Sequence, residues 1–205
     1  NHPCIVLWSN GNEGGWNIAT DKLFYRYDPQ RRHVIHPWAD FDELDTHHYP
    51  AYLTGVGRFT NGYKVFMPTE FMHGLYDQGH GAGLEDFWAR YTAHPLFAGG
   101  FLWAYSDEAV RRTDCNGILD SEDYNAPDGI VGPYREKECS FYSVREIWSP
   151  IKIKPLQLTP SFNGRFLVEN RYLFTNLKEC SMRYRVLSYP SPLQSRAEGC
   201  TVDSG

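Results

Sequence analysis

The first part of the chain alternates between short apolar runs and segments with helical spacing of apolar residues. The apolar runs predict buried strands and lie at Ile5–Trp8, Tyr63–Met67 and Ala98–Tyr105. Two further short strands are predicted at Arg32–His36 and at Leu44–Tyr49, the second with a polar end that faces the site. The helical segments lie at Trp16–Tyr27, Leu84–His94 and Phe141–Trp148. This alternation is typical of a parallel α/β fold, which keeps its polar functional residues at the carboxyl ends of its strands.

The pattern changes after Trp148. Residues 149–155 read SPIKIKP and predict a proline-bounded linker. From Leu156 onward, short alternating stretches such as Arg165–Asn170 and Ser181–Val186 predict strands of a β-sandwich. Before the linker, Ser106–Lys137 predicts a long polar loop, which at such a length is usually functional. We expect the tail from Ser188 onward to be frayed.

The predicted strands are too few for closed domains. The apolar runs of the first part fall short of the eight strands of a (β/α)8 barrel, and the later stretches do not complete a sandwich. We therefore predict an α/β fragment, in which residues 1–150 form the C-terminal half of a TIM barrel and residues 151–205 begin an all-β sandwich domain. Because the chain starts at Asn1 without a methionine, we expect the native N-terminus to be missing and the upstream half of the barrel to be needed for activity.

Composition narrows the classes of function. The 205 residues carry a net charge of −5, which gives a nucleic-acid partner no electrostatic support, and no apolar run is long enough to span a bilayer. Aromatic residues make up 16% of the chain, an excess that suits contacts with sugars. The five cysteines lack CxxC spacing and predict free thiols. The oligomeric state stays open, and periplasm and cytoplasm are both compatible with the sequence.

Two glutamates stand at the ends of predicted strands. Glu13 closes the run Ile5–Trp8 through a polar loop, and Glu70 follows the run Tyr63–Met67. Paired carboxylates at such an edge suit glycoside hydrolysis, in which one carboxyl donates a proton to the leaving oxygen while the other attacks the anomeric carbon. A salt bridge or a cap is the structural alternative for each glutamate, and the sequence does not fix their separation.

Other polar and aromatic residues lie near these glutamates. Tyr49 either packs in the core or supplies a hydroxyl that tunes a carboxylate, and Trp103 either packs or stacks beneath a sugar ring. Asn12 caps a turn or binds a sugar hydroxyl, whereas His73 is predicted to hydrogen bond within the pocket.

The histidines could suggest a metal site instead. Their spacing matches no HExxH-type motif, which argues against a transition-metal cluster. His47 and His48 are adjacent, so on a strand at most one of them faces the site.

Residues 1–13 read NHPCIVLWSNGNE. This segment resembles the acid/base segment of glycoside hydrolase family 2, the family of β-galactosidases, β-glucuronidases and β-mannosidases, whose pattern is NHPSxxxWSxGNE. Glu70–His73 is similar to the family's nucleophile segment E-Y-x-H, and Gly99–Trp103 to its last barrel strand. These motifs occur in the family's order, and the resemblance covers about residues 1–150. The remainder resembles the start of the sandwich domain that follows the barrel in larger β-galactosidases.

The resemblance implies a role for each matched residue. Glu13 would be the acid/base and Glu70 the nucleophile. The substrate-binding residues would be Asn12 at the sugar 2-hydroxyl, Tyr49 beside the nucleophile, His73 and Trp103 in the sugar subsite, and Asp128 in a sugar-contacting loop. The sequence itself requires no cofactor. A magnesium ion beside Glu13 is possible by resemblance, with its other ligands upstream of this chain.

We therefore predict a retaining exo-β-glycosidase, most closely of β-galactosidase type, that acts on a carbohydrate substrate without a nucleic-acid or membrane partner. The Asn-x-Lys motif of glucuronidases is not evident after Trp103, which favours a neutral sugar. Departures from the family pattern at Asn10-Gly11, Gly14-Gly15 and Met72 leave the sugar open. The alternative is a catalytically inert fragment that binds carbohydrate or serves as a scaffold.

Overall fold

The structure, a computed structural model, describes residues 2–41, 43–53, 62–72, 81–121, 127–154, 159–185 and 187. The chain separates into two compact units, Asn1–Ser149 and Pro150–Gly205. Within the described part of the chain, every helix falls short of the length and hydrophobicity that crossing a bilayer requires.

The helices and strands are short. The strands of the first unit are β1 (Trp8–Ser9), β2 (Val34–Ile35), β3 (Asp40–Phe41), β4 (Leu44–Asp45), β5 (Val65–Phe66), β6 (Val110–Arg112) and β7 (Ile118–Asp120). Its helices are α1 (Asp21–Tyr27), α2 (Gly83–Thr92) and α3 (Cys139–Ile147), with 3-10 turns at Ile18–Thr20 and Thr113–Cys115. The second unit contains β8 (Ile151–Ile153), β9 (Val168–Asn170) and a 3-10 turn at Leu177–Glu179.

Parallel pairing organises the first unit. Strand β1 pairs in parallel with β2, and β4 pairs in parallel with β5. Parallel bridges continue this order from Phe66 to Phe97 and from Phe71 to Leu102. Short strands lie within or beside four of the predicted strand segments, and helices lie at the three predicted helical segments. Helix α1 begins later than expected because the Asn17 side chain first caps a 3-10 turn.

Several predicted strands are shorter and more exposed than their apolar runs indicated. Val6 is 75% exposed and Tyr63 is 84% exposed, so the prediction of burial was wrong at these two positions. Ala98–Tyr105 makes one isolated bridge, at Leu102, rather than a continuous strand, and Phe101 is 59% exposed. Because only a few residues of each segment pair with a neighbour, the flanking apolar side chains reach solvent.

An aromatic core holds strand β5 against the helices. Phe66, Phe71, Leu84 and Tyr91 are at most 1% exposed, and Val144 of α3 packs with them. Phe66 meets the Tyr91 ring edge to face at 5.2 Å between centroids, a favoured geometry for aromatic pairs. Helix α2 therefore packs against β5 and against Phe71, the residue that follows Glu70.

The predicted long loop at Ser106–Lys137 contains a hairpin, so the expectation of an unstructured stretch was wrong. Strands β6 and β7 pair antiparallel, with Val110 opposite Asp120. Asn116 and Gly117 turn the chain at φ values of 56° and 75°, where an Asn-Gly pair is favoured. The residues described in this segment stop at 121 and resume at 127.

Within its described residues, the second unit contains one antiparallel pair, β8 with β9. Residues 151–153 had been predicted as linker, but the alternation Ile151-Lys152-Ile153 pairs with the predicted strand at Val168–Asn170, where Lys154 and Arg171 both contact the Glu169 carboxylate. Residues 181–185 are irregular and exposed, so the strand predicted there was wrong within its described residues. Leu156 and the tail from residue 188 onward lie outside the described residues.

Candidate active site

A polar clamp positions the loop that carries Glu13. The parallel pairing of β1 with β2 continues one residue further, since Asn10 N–H donates to the Ile35 carbonyl at 2.9 Å. The Asn10 side chain donates to Asp21 Oδ1 at 2.7 Å, and Asp21 contacts the buried His36 ring at 3.0 Å. Gly11 then turns the chain at a φ of 102°, where a side chain would collide with Trp16. These contacts fix the entry of the loop, while the Glu13 side chain itself is 58% exposed.

Glu70 lies between two neighbouring segments. Phe71 N–H donates to the Phe101 carbonyl at 3.0 Å on one side, and Tyr49 N–H donates to the Glu70 carbonyl at 2.7 Å on the other. The Tyr49 hydroxyl donates to Glu70 Oε1 at 2.6 Å, within the range for a hydroxyl bound to a carboxylate. The Glu70 side chain is only 14% exposed, so this bond replaces much of its lost hydration.

The structure brings the two carboxylates together. One oxygen of Glu13, one oxygen of Glu70 and a ring nitrogen of His48 all lie within 4.8 Å of one another. His48 Nε2 lies 3.5 Å from Glu13 Oε1 and 3.6 Å from Glu70 Oε1. The cluster therefore contains one exposed and one partly buried carboxylate, with a buried imidazole between them.

Burial raises the pKa of the Tyr49 hydroxyl, and the hydrogen bond to Glu70 raises it further. The negative charges of Glu70, Asp128 and Glu13 act in the same direction, so Tyr49 stays protonated and keeps donating to Glu70. This effect also places Asp128 within electrostatic range of the site. Asp128 is 5% exposed, and its carbonyl accepts from Ala104 N–H at 3.0 Å.

The remaining predicted substrate residues lie at different distances from this cluster. Asn12 lines a cavity of about 290 Å³ together with Thr69 and Phe101, close to the usual lower limit for ligand sites. Trp103 is partly buried and directly precedes Ala104, which ties it to the Asp128 segment. His73 lies outside the described residues.

Two residues near the carboxylates were not predicted as site residues. His48 faces the cluster, which resolves the choice between it and His47, and Trp38 meets the His48 ring edge to face at 5.8 Å between centroids. A histidine directly before Tyr49 was the available signal for His48. For Trp38, whose backbone φ is 74°, the sequence offered no comparable signal.

The magnesium ion that the family resemblance makes possible does not fit this cluster. Octahedral Mg²⁺ holds oxygen ligands at about 2.0–2.1 Å, which places neighbouring ligands about 2.9 Å apart. The spacings from His48 to the glutamates are wider, at 3.5 and 3.6 Å, and one donor is a nitrogen. Among the described residues, Glu13, His48 and Glu70 are the group whose spacing could hold a metal ion. The catalytic steps proposed for the two glutamates do not involve magnesium.

Comparison with known proteins adds independent information, although no protein-family model matches the chain. A β-galactosidase of Priestia megaterium is 27% identical over 199 residues, and one of Klebsiella pneumoniae is 23% identical over 224 residues. These matches cover 86% and 94% of this chain but 19% and 21% of the relatives. The chain thus spans about a fifth of the length of the curated relatives it matches.

Solved structures show the same likeness in fold. A β-glucuronidase of Faecalibacterium prausnitzii superposes with a TM-score of 0.52 at 19% identity, over 72% of this chain and 32% of that one. A family 2 β-galacturonidase of Eisenbergiella tayi, solved with galacturonate, gives 0.50 at 19% identity, over 72% and 33% of the two chains. Together with the sequence relatives, these structures confirm the predicted resemblance of this chain to the β-galactosidase-like enzymes of glycoside hydrolase family 2.

Proposed function

We propose that the chain carries the catalytic pair of a retaining exo-β-glycosidase of β-galactosidase type. The observation that carries this proposal is the approach of Glu13 and Glu70, whose nearest carboxylate oxygens lie within 4.8 Å. Retaining enzymes hold their carboxyl groups about 5–5.5 Å apart, whereas inverting enzymes separate them by about 6.5–9.5 Å to admit a water molecule. The short separation favours direct attack by one carboxylate.

The environments of the two residues support different roles. Glu70 is largely buried and accepts the Tyr49 hydroxyl, which suits an ionised nucleophile that attacks the anomeric carbon. Glu13 is exposed on its loop, which suits a group that gives its proton to the departing oxygen and then takes one from the incoming water. Attack by that water breaks the bond to Glu70 and returns its electron pair to the carboxylate.

The relatives support the choice of substrate. The curated sequence relatives are named β-galactosidases, whereas the solved neighbours with TM-scores of at least 0.50 are uronidases. The neighbours are below 25% identity and support the fold, so the substrate rests on the sequence relatives. We place Asn12, Trp103 and Asp128 around the galactosyl group, with His73 as a further contact.

We also propose that residues 1–150 are the C-terminal half of a (β/α)8 barrel and that residues 151–205 begin a sandwich domain. The parallel order from β1 to Phe97 and Leu102 supports the first assignment. The antiparallel pair of β8 with β9 supports the second. On this view the relatives' remaining length supplies the other barrel strands, and activity requires them.

Azide rescue tests the retaining mechanism. We expect Glu13→Ala to hydrolyse activated aryl β-galactosides slowly, and we expect added azide to restore turnover and give a β-galactosyl azide. Azide occupies the space that the carboxylate leaves and attacks the same face as the water would. Glu85→Ala, which removes an exposed glutamate of α2, is the matched control and should not respond to azide. An α-azide product would contradict the retaining assignment.

The inert-fragment alternative makes a separate prediction. The assay should compare this chain with a version extended at its N-terminus by an upstream barrel half. Activity in the extended version but not in this chain would keep the assignment of the residues and restrict this chain to binding. Inactivity in both, with native folding shown by circular dichroism, would refute the proposed function.

A further inference from the structure

His48 occupies an unusual position, because its buried ring nitrogen points at two carboxylates without bonding to either. The imidazole side chain is fully buried, and Nε2 has no hydrogen-bond partner among the described residues. Its distances of 3.5 and 3.6 Å to Glu13 and Glu70 exceed the range of about 2.7–3.2 Å for a nitrogen donor. A buried polar atom of this kind calls for a partner, and the described residues do not supply one.

The other ring nitrogen of His48, Nδ1, is held by a hydrogen-bond chain through Thr69. Thr69 Oγ1 donates its proton to the Thr46 carbonyl at 3.3 Å, which leaves the Thr69 oxygen to accept from His48 Nδ1 at 3.3 Å. With Nδ1 facing Thr69, Nε2 is the ring nitrogen that faces the carboxylates. A cation placed between them would interact favourably with both carboxylates.

The spacing of the three donors matches a four-coordinate transition metal. With bonds of about 2.0–2.2 Å, tetrahedral Zn²⁺ places its ligands about 3.4 Å apart. His48 already stands 3.5 and 3.6 Å from the two carboxylate oxygens. The third separation, between the Glu13 and Glu70 carboxylate oxygens, is at most 4.8 Å in the structure. Because Glu13 is exposed, its side chain can turn to shorten this distance.

Neighbouring side chains hold His48 and Glu70 in place, as hydrogen-bonding partners hold the ligands in most metal sites. Thr69 fixes the His48 ring from behind, and the Trp38 and Tyr49 rings pack against it at centroid distances of 5.8 and 4.9 Å. The Tyr49 hydroxyl orients Glu70 Oε1, which keeps a second lone pair for a cation.

We propose that Glu13, His48 and Glu70 form an inhibitory site for Zn²⁺ or a similar transition-metal cation. The bound ion takes one ligand atom from each residue and a water molecule at the fourth position. It occupies the space between the carboxylates and engages both, so it excludes the substrate. Binding of the ion stands on the geometry of the three donors, and inhibition rests in addition on the proposed glycosidase function.

Sequence spacing could not indicate this site. Its ligands come from three separate segments, and none of them forms a short two-ligand motif such as HExxH. The donor set also differs from the magnesium site of the family, because all three ligands lie within this chain and join the acid/base to the nucleophile.

Isothermal titration of the full chain with Zn²⁺ tests binding directly. We expect one strong site, with weakening of at least about 10-fold in His48→Gln and in Glu13→Gln, because each change removes a ligand. The matched control is His47→Gln, which changes the neighbouring histidine and should keep the affinity of the unmodified chain. Mg²⁺ should bind far more weakly than Zn²⁺. Circular dichroism confirms folding, and Glu13→Gln, at an exposed position, keeps the test valid if His48→Gln fails to fold.

Two further readouts separate the outcomes. Co²⁺ in place of Zn²⁺ should give the intense visible absorption of a four-coordinate ion, and His48→Gln should abolish it. In a version that hydrolyses β-galactosides, Zn²⁺ should inhibit competitively and a chelator should restore activity. Zinc affinity that is unchanged by both His48→Gln and Glu13→Gln would overturn the site. A zinc site without inhibition of an active version would overturn the inhibitory role while leaving the site in place.

Discussion

The Tyr49 hydroxyl offers a sharp test of how the proposed nucleophile is held. Tyr49→Phe removes the 2.6 Å hydrogen bond to Glu70 Oε1 and keeps the ring and the backbone bond from Tyr49 N–H. A hydrogen bond to a charged group contributes about 1.5–3 kcal/mol. If the transition state in which Glu70 leaves the anomeric carbon loses that energy, the rate of that step falls about 10–150-fold.

The expected kinetic signature is specific to the second chemical step. In the first step, the Tyr49 hydrogen bond also stabilises ionised Glu70 before it attacks. Losing that bond therefore destabilises the starting state as well, and the rate of the first step changes less. In the second step Glu70 becomes the leaving group and needs the donor. We therefore expect Tyr49→Phe to lower kcat and KM together and to show a burst of released aryl alcohol, because the glycosyl-enzyme accumulates.

Stopped-flow kinetics with an activated aryl β-galactoside measure this burst in a version of the protein that turns over. Tyr63→Phe is the matched control, since it removes a hydroxyl from a residue that is 84% exposed, and it should leave kcat unchanged. A kcat for Tyr49→Phe within twofold of the unmodified protein would refute the reasoning. So would a fall in kcat without a burst and with an unchanged KM.

Other predictions concern stability and ionisation. Leu84→Ala should lower the free energy of unfolding by about 2–5 kcal/mol in denaturant melts because Leu84 is fully buried, and the 87% exposed Leu173→Ala should change it by less than about 0.5 kcal/mol. Gly129→Ala should cost at least about 1–3 kcal/mol, because the added Cβ would overlap the Asp107 backbone nitrogen; an unchanged melt would contradict that packing. Hydrogen bonds from Arg171 and Lys154 lower the pKa of Glu169 to about 2, so their stabilisation is present above the ordinary value of 4.5 and is lost as the pH falls toward 2. Carboxyl NMR should find that midpoint, and one near 4.5 would refute the ion pairs.

The fold was predictable where sequence pattern and local chemistry agree. Helix α2 follows from its apolar spacing, and β2 and β5 follow from their apolar runs. The hairpin of β6 and β7 was missed because its strands are exposed and polar, although Asn116-Gly117 marks the turn. Strand β8 was missed because prolines flank it, and its partner β9 lies far along the sequence.

The candidate site was predictable only as a set of residue types. The pattern around Glu13 and Glu70 indicated carboxylates at strand ends, but their separation depends on how β1, β2, β4 and β5 lie side by side. The choice between His47 and His48 depends on the backbone near Tyr49, whose φ of 47° departs from simple strand alternation. Trp38 approaches His48 for a similar reason, since its own φ is 74°.

Covalent labelling tests the central claim most directly. An activated 2-deoxy-2-fluoro-β-galactoside should be added to the chain and to an N-terminally extended version, followed by peptide mass spectrometry. The account predicts a galactosyl adduct on Glu70 in a version that turns over, and faster labelling than by the matching glucoside, mannoside or glucuronide. An adduct on another residue, or no adduct in a version that hydrolyses β-galactosides, would contradict it.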